Sequence, residues 1–250
     1  MLLLEGTHLL QEALNTDFRP NEIVATTAWL GKHQNILEII PKETNIYQVS
    51  DSALKSALTT RNPDGVASIF PFSGLPLPPR DPKFVLALDR LQDPGNLGNL
   101  FRTCLAADIE SLWLAAGVDP LNQKVIRASA GSVLFLPFSR LGRTEDEGIE
   151  QLLEKLNLAK NDGFQVLATT APGKKQEKMI FPYWEVDWRI PTVLVLGNEG
   201  SGLHPEIFKT CTDVVTLPHN PVVESLNVAA AAVPLLLERR RAKMVKGIHK

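Results

Sequence analysis

The chain alternates unbroken apolar runs with longer stretches whose apolar residues recur every three or four positions. Phe84–Leu88 (FVLAL) and Val193–Leu196 are unbroken runs, the pattern of strands buried on both faces of a parallel sheet. Leu112–Ala116, Val133–Leu136, Gln165–Thr169 and Val214–Leu217 read as further strands. Helical spacing fills the intervals. It predicts a helix ending near Ala107, then Gln123–Ala128, residues 145–160 capped by Thr144, His204–Lys209, and Ser225 to about Lys243. Strands alternating with helices imply an α/β fold with a mostly parallel sheet covered on both faces.

The first seventy residues repeat the alternation on a smaller scale. A helix is expected over 3–14, with Leu9, Leu10, Ala13 and Leu14 on one face, then a strand at Glu22–Thr26 and a helix over Ala28–Ile40. Asn45–Val49 reads as a strand, Asp51 as the cap of a helix through Leu58, and Val66–Phe70 as another strand. The stretch FPFSGLPLPPRDP over 70–82 follows, with prolines at 71, 76, 78, 79 and 82. Proline fixes φ and cannot donate to a ladder, so the stretch reads as an extended linker. The expected division is a small α/β domain over 1–70, a linker over 71–82 and a larger domain over 83–250.

Composition places the 250 residues among ordinary globular chains, at 44% hydrophobic and 22% charged. No window holds ~18 consecutive uncharged apolar residues, so no membrane-spanning helix is expected. The start lacks a basic segment and carries Glu5 after three leucines, which does not suit a signal peptide. Two cysteines, Cys104 and Cys211, are too few for a disulfide framework or a zinc ribbon. A cytoplasmic location follows as the expectation. Net charge is −2, yet the last twelve residues, RRRAKMVKGIHK, hold six basic residues and no acidic one. That run supports two readings: a grip on a polyanion, or a solvated helix end whose cations favour the C-terminal dipole. His8 and His33 stand isolated and read as structural.

In parallel α/β sheets, ligands bind beyond the carboxyl ends of the strands. Three loops fall there. Asp93-Pro-Gly-Asn96-Leu-Gly98-Asn-Leu-Phe-Arg102 follows the Phe84 strand, and Leu196-Gly-Asn-Glu199-Gly-Ser-Gly202 follows the Val193 strand. Leu217-Pro-His-Asn-Pro-Val-Val-Glu-Ser225-Leu-Asn227 follows the Val214 strand. Neither glycine loop fits G-x-G-x-x-G or ends in the G-K-[ST] of a phosphate loop. Glu199 precedes Gly200-Ser201-Gly202 where a nucleophile elbow needs glycine two before the serine. Histidine pairs at metal spacing are absent, so no metal site is expected. Any one of these loops reads as a tight turn; three of them, each ending a buried strand, point to one composite pocket.

These loops resemble the three signatures of the SpoU–TrmH family of RNA ribose 2′-O-methyltransferases, within the SPOUT superfamily. They read here as LDRLQDPGNLGNLFRTCLAADI, LVLGNEGSGL and LPHNPVVESLNVAAAAVPLLL, in the family's order. KVIRASAGSVLFLPF from Lys124, the LLEGTHLLQEAL start and RNPDGVASIF are also similar to the family, the last two to its ribosomal-protein-like substrate-binding domain. The resemblance implies a deep trefoil knot and a homodimer that completes the pocket across its interface. The AAAAVPLLL stretch would give the closing helix an apolar face for that contact, for its own sheet, or for both. His219 and Pro221 depart from the family's methionine and glycine. Pro221 supplies neither positive φ nor an N–H, which implies a locally reshaped loop.

The resemblance further implies S-adenosylmethionine as cofactor and RNA as substrate, with no metal. Backbone groups at Leu196, Gly197, Leu217 and Leu226 would hold the adenosine, with Thr169, Asn198, Gly200 and His219 in the same pocket. Arg102 matches the arginine proposed in the family to activate the ribose hydroxyl. A guanidinium is rarely a base, so orienting an RNA phosphate and stabilising the developing alkoxide is the alternative role. Asn96 would position the RNA or the arginine. Glu199 would brace that network or face the partner subunit. Ser225 and Asn227 would open the last helix, with Ser225 as its cap. The two-domain layout is closer to ribosomal-RNA members than to transfer-RNA members. Two rivals remain: a non-catalytic RNA-binding protein on this fold, and an unrelated α/β enzyme acting on a phosphorylated metabolite.

Overall fold

A computed structural model describes residues 1–16, 18–172 and 178–245. Its first unit is a four-stranded sheet built from β1 (Leu2–Glu5), β2 (Glu22–Thr26), β3 (Asn45–Val49) and β4 (Val66–Phe70), in the order β1-β4-β2-β3. Helices α1 (Thr7–Leu14), α2 (Thr27–Lys32), α3 (Gln34–Leu37) and α4 (Asp51–Ala57) connect these strands. β3 runs parallel to β2, while β4 is antiparallel to both β1 and β2.

After the proline-rich segment comes a seven-stranded sheet in which every pairing is parallel. It comprises β5 (Phe84–Asp89), β6 (Ser111–Ala115), β7 (Phe138–Leu141), β8 (Gln165–Thr170), β9 (Ile180–Pro182), β10 (Thr192–Leu196) and β11 (Asp213–Thr216), in the order β7-β6-β5-β10-β8-β11-β9. The helices are α5 (Pro94–Ala106), α6 (Gln123–Ala128), α7 (Glu145–Asn161), α8 (Pro205–Thr210) and α9 (Val228–Val245).

The unbroken apolar strands are buried on both faces. In β5, Phe84, Leu86 and Leu88 join the core that includes residues of α5, α6 and α9, while Val85 and Ala87 join the core beneath α7 and α8. Alternate side chains thus feed opposite layers. The first of these cores continues into the small sheet through Leu2, Leu4, Ile23 and Phe70. Two polar links cross the same boundary: Gln123 Nε2 donates to Leu3 O at 2.8 Å, and Arg127 reaches Glu5 at 3.5 Å and Thr59 Oγ1 at 2.6 Å.

Several expected elements are corrected. Residues 3–14 are not one helix, because Leu2–Glu5 pairs with β4 and the chain turns at Gly6, whose φ of 102° suits only glycine. Ala28–Ile40 breaks at His33, whose φ and ψ of −116° and 46° leave the helical region. Ser50, not Asp51, caps α4 by accepting from Ala53 N. Val133–Leu136 is no strand: Ser132–Leu134 forms a 3₁₀ turn whose apolar residues join the core on α5, and β7 starts after Pro137. The last helix begins at Val228, and β9 had no expected counterpart.

The basic tail is mostly engaged within the fold. Arg239 is buried, with its guanidinium 4.8 Å above the Phe84 ring and donating to Trp188 O and Ile190 O. Arg240 pairs with Asp108, Arg241 with Glu238, and Lys243 with Glu110 at 3.8 Å. Lys246 and Lys250 lie outside the described residues.

Candidate functional site

The loops after β5, β10 and β11 meet beyond the carboxyl ends of their strands, as parallel-sheet topology requires. They enclose a cleft of about 1060 Å³. Its walls include Asn96, Thr169, Leu196, Gly197, Asn198, Glu199, Gly200, Leu217, His219, Ser225, Leu226 and Asn227. Every expected site residue except Arg102 is therefore gathered here. Arg102 lies on an exposed face of α5 outside the cleft lining, and it makes no hydrogen bond or ion pair to the described residues.

The first loop enters its helix through Asp93, whose Oδ1 accepts from Asn96 N at 2.7 Å, with Pro94 following as a compatible first residue. Glu199, from the second loop, accepts from Gln92 N at 3.3 Å, Asp93 N at 3.2 Å and Asn96 Nδ2 at 3.1 Å. Asn227, from the third, donates its Nδ2 to Asn96 Oδ1 at 2.8 Å. One hydrogen-bonded line therefore joins all three loops. Asn227 also caps α9, its Oδ1 accepting from Ala229 N at 3.0 Å and Ala230 N at 3.2 Å. Ser225 is not the cap; together with Glu224 it lines the cleft without a hydrogen bond to the described residues.

Four of the other expected residues also make contacts within their own loops or have local packing needs. The Asn198 side chain is spent on its own loop: Oδ1 accepts from Gly200 N at 2.9 Å and Ser201 N at 3.0 Å, and Nδ2 donates to Arg90 O at 2.9 Å. Gly197 is required for close packing, since a Cβ there would sit 2.4 Å from the Gly202 carbonyl carbon. That close approach is made by the loop to itself. Gly200 has no such need; its nearest neighbour would be Asn198 Oδ1 at 3.6 Å. Thr169 lines the cleft and donates its hydroxyl to Val195 O at 3.0 Å. His219 keeps its place on the wall, with Nδ1 2.8 Å from Leu217 O. A carbonyl only accepts, so Nδ1 carries the hydrogen in this contact.

Sequence reasoning missed two contributors. Lys178 lines the cleft, donating to Phe208 O at 3.0 Å, Lys209 O at 2.8 Å and Cys211 O at the end of α8. Asp89, the last residue of β5, is fully buried and accepts His204 N at 2.7 Å. A carboxylate ending an apolar run at the carboxyl edge of a sheet was a usable signal for it. Neither cysteine supplies a nucleophile. Both are buried, and burial pushes the Cys104 thiol up and the Cys211 thiol to about 12. Among the described residues no group of three His, Cys, Asp or Glu could hold a metal ion, and no helix is long and apolar enough to cross a membrane.

Residues 83–236 match the model of the SpoU rRNA Methylase family, and residues 1–68 match that of the MRM3-like substrate binding domain. An uncharacterized tRNA/rRNA methyltransferase of Synechocystis sp. is 38% identical over 243 residues, 96% of this chain and 84% of the relative. The 23S rRNA (guanosine(2553)-2′-O)-methyltransferase RlmP of Bacillus subtilis is 28% identical, covering 95% of this chain and 88% of its own. Among solved structures, an AdoMet-bound rRNA methyltransferase from Sinorhizobium meliloti superposes with a TM-score of 0.75 at 27% identity. It covers 96% of this chain and 87% of that one.

Proposed function

This chain belongs to the SpoU rRNA methylase family, and we propose that it transfers a methyl group from S-adenosylmethionine to a ribose 2′-hydroxyl of structured RNA, ribosomal RNA before transfer RNA. The observation that carries this reading is the cleft in which Glu199, Asn96 and Asn227 bond the three signature loops into one wall. The cofactor fits that wall chemically. Leu196, Val215, Leu217 and Leu226 offer apolar surface for a flat base, and Ser225 and Leu226 leave their polar groups unbonded among the described residues. When bound, S-adenosylmethionine supplies a methyl group activated by its sulfonium.

The protein's part is to bind, orient and stabilise charge. Backbone groups of Leu196, Gly197, Leu217 and Leu226 hold the adenosine. His219 fixes the Leu217 carbonyl from the side, and Asn198 keeps the second loop folded. Asn96 and Asn227 set the edge facing RNA, with Ser225 beside them. Arg102, which makes no hydrogen bond or ion pair to the described residues, meets the RNA and stabilises negative charge developing on the ribose oxygen. In this assignment residues 1–70 bring the substrate, 71–82 link and 83–250 carry the chemistry, with the threaded path of the family fold. The active unit is a cytoplasmic homodimer, supported by exposed Val233 and Leu237 on α9 and Val222 and Val223 beside the cleft.

Tritiated S-adenosylmethionine with purified chain and separate rRNA and tRNA substrates tests the reading. Label on ribose 2′-oxygens of rRNA is expected. Label on tRNA alone would move the substrate, and RNA binding with no transfer would make the chain a non-catalytic binder.

A further inference from the structure

β5 ends on Asp89, a carboxylate with no solvent exposure and no place in the cleft lining. Its Oδ1 accepts from Arg90 Nε at 2.8 Å, and its Oδ2 accepts from Arg90 Nη2 at 3.2 Å and from the His204 backbone amide at 2.7 Å. Arg90 adopts φ 56°, a left-handed conformation that strains any residue with a Cβ. The turn folds the guanidinium back onto Asp89 and aims the Arg90 carbonyl at Asn198 Nδ2, 2.9 Å away. The remaining guanidinium arm reaches Glu145 at the start of α7, at 3.2 Å.

Asn198 and His204 are the two ends of the glycine loop that forms one wall of the cleft. Two consecutive residues thus hold both ends from behind, Arg90 through its carbonyl and Asp89 through its carboxylate. An arginine kept where glycine would be unstrained, and paired with a buried acid, needs a compensating role. We propose that the Asp89–Arg90 pair is a positioning device that fixes the glycine loop for S-adenosylmethionine, a role that rests on the functional reading above. The pair touches neither cofactor nor RNA. It acts by setting where the backbone of residues 197–203 lies.

The placement separates this role from general support of the fold. A brace on the cofactor loop should raise the KM for S-adenosylmethionine and leave the KM for RNA alone. A residue that merely holds the fold lowers the active fraction and leaves both KM values unchanged. Asp89→Asn keeps the shape but removes the charge and puts an amide N–H₂ among donors, so at least one of the three N–H groups now on the carboxylate loses its acceptor. The expected effect is a roughly ten- to hundredfold weaker Kd for S-adenosylmethionine by calorimetry, from the usual worth of a hydrogen bond to a charged group. The KM for RNA should stay at the wild-type value.

Arg90→Gly is the second variant, because glycine suits φ 56° and preserves the turn while removing the guanidinium. It should weaken cofactor binding by about fivefold or more, again with RNA KM unchanged, and it decides the matter if Asp89→Asn fails to fold. Wild-type protein that takes up no S-adenosylmethionine would sink the functional reading. Wild-type binding that both variants match, or a loss confined to kcat and melting temperature, would overturn the brace.

Discussion

Asn227 does two jobs with one amide, and the geometry allows them to be separated. Its Oδ1 faces the Ala229 and Ala230 N–H groups, which only donate, and its Nδ2 faces Asn96 Oδ1. Asn96 cannot turn over to adapt, because its own Nδ2 is needed by the Glu199 carboxylate, which only accepts. The orientation of both amides is therefore fixed from the two ends of the line. Asn227→Asp keeps a cap worth about 1 kcal/mol and adds a negative charge at a helix N-terminus, favourable by roughly 0.3–1 kcal/mol. It also places an oxygen where a donor stood, 2.8 Å from Asn96 Oδ1. Losing that bond and gaining a repulsion costs roughly 1–3 kcal/mol, and the cost falls on the junction of the loops rather than on the fold. Methyl transfer should drop roughly 10- to 100-fold in kcat/KM while the melting temperature holds or rises. Asn227→Ala should lose both activity and about 1 kcal/mol of stability. The assay pairs tritiated methyl transfer with thermal unfolding of the same preparations. An Asn227→Asp enzyme with wild-type kcat/KM would refute the claim that this line of hydrogen bonds sets the site.

Arg102→Ala should cut kcat on the order of 10²–10³-fold with S-adenosylmethionine affinity unchanged by calorimetry; substantial rescue by Arg102→Lys would reduce its role to simple charge attraction. Burial alone would raise the Glu5 pKa, but bonds from Thr60 and Thr59 outweigh it and hold the group below the ordinary carboxylate value. Its stabilisation is thus full above the unfolded value and is lost as pH falls through the lowered one. Glu5→Gln should cost about 1–3 kcal/mol at neutral pH and flatten the acid limb of urea unfolding; an unchanged limb would assign acid sensitivity elsewhere. Leu237→Asp, on the exposed face of α9, should shift sedimentation from dimer to monomer and abolish transfer, whereas an active monomer would remove the dimer from the mechanism.

What the sequence revealed and what it hid divide along one physical line. Apolar runs announce buried strands because burial on both faces leaves no polar position, and β5 and β10 fall where those runs lie. Motif order likewise brought twelve of the expected site residues to one cleft. Hidden were the choices between chemically equal candidates. Ser225 and Asn227 both make good caps, and the selection of Asn227 depends on Asn96, 131 positions away. Val133, Leu134 and Leu136 are as apolar as a strand, yet their burial comes from packing in the core on α5. Asp89 escaped because an apolar pattern stops at the first carboxylate, which is where the support for the second loop begins.

The basic tail shows the same limit in electrostatic form. A run of cations looks uncompensated when only neighbouring positions are weighed, since Coulomb attraction depends on distance in space and not along the chain. In the fold, Asp108 and Glu110 at the foot of β6 meet Arg240 and Lys243, and Glu238 meets Arg241 one helical turn away. Among the described residues Arg239 has no carboxylate within bonding distance; carbonyls of Trp188 and Ile190 and the Phe84 ring take its charge instead, and burial lowers its pKa from the ordinary arginine value. A guanidinium held this way locks α9 to the segment entering β10, so it serves the sheet that carries the cleft. Phosphate contacts by this tail would have to come from Lys246 and Lys250, or from pairs that RNA must first break. Because exposed pairs such as Arg240–Asp108 are worth little on their own, a polyanion could compete for Arg240 and Lys243 but not for Arg239.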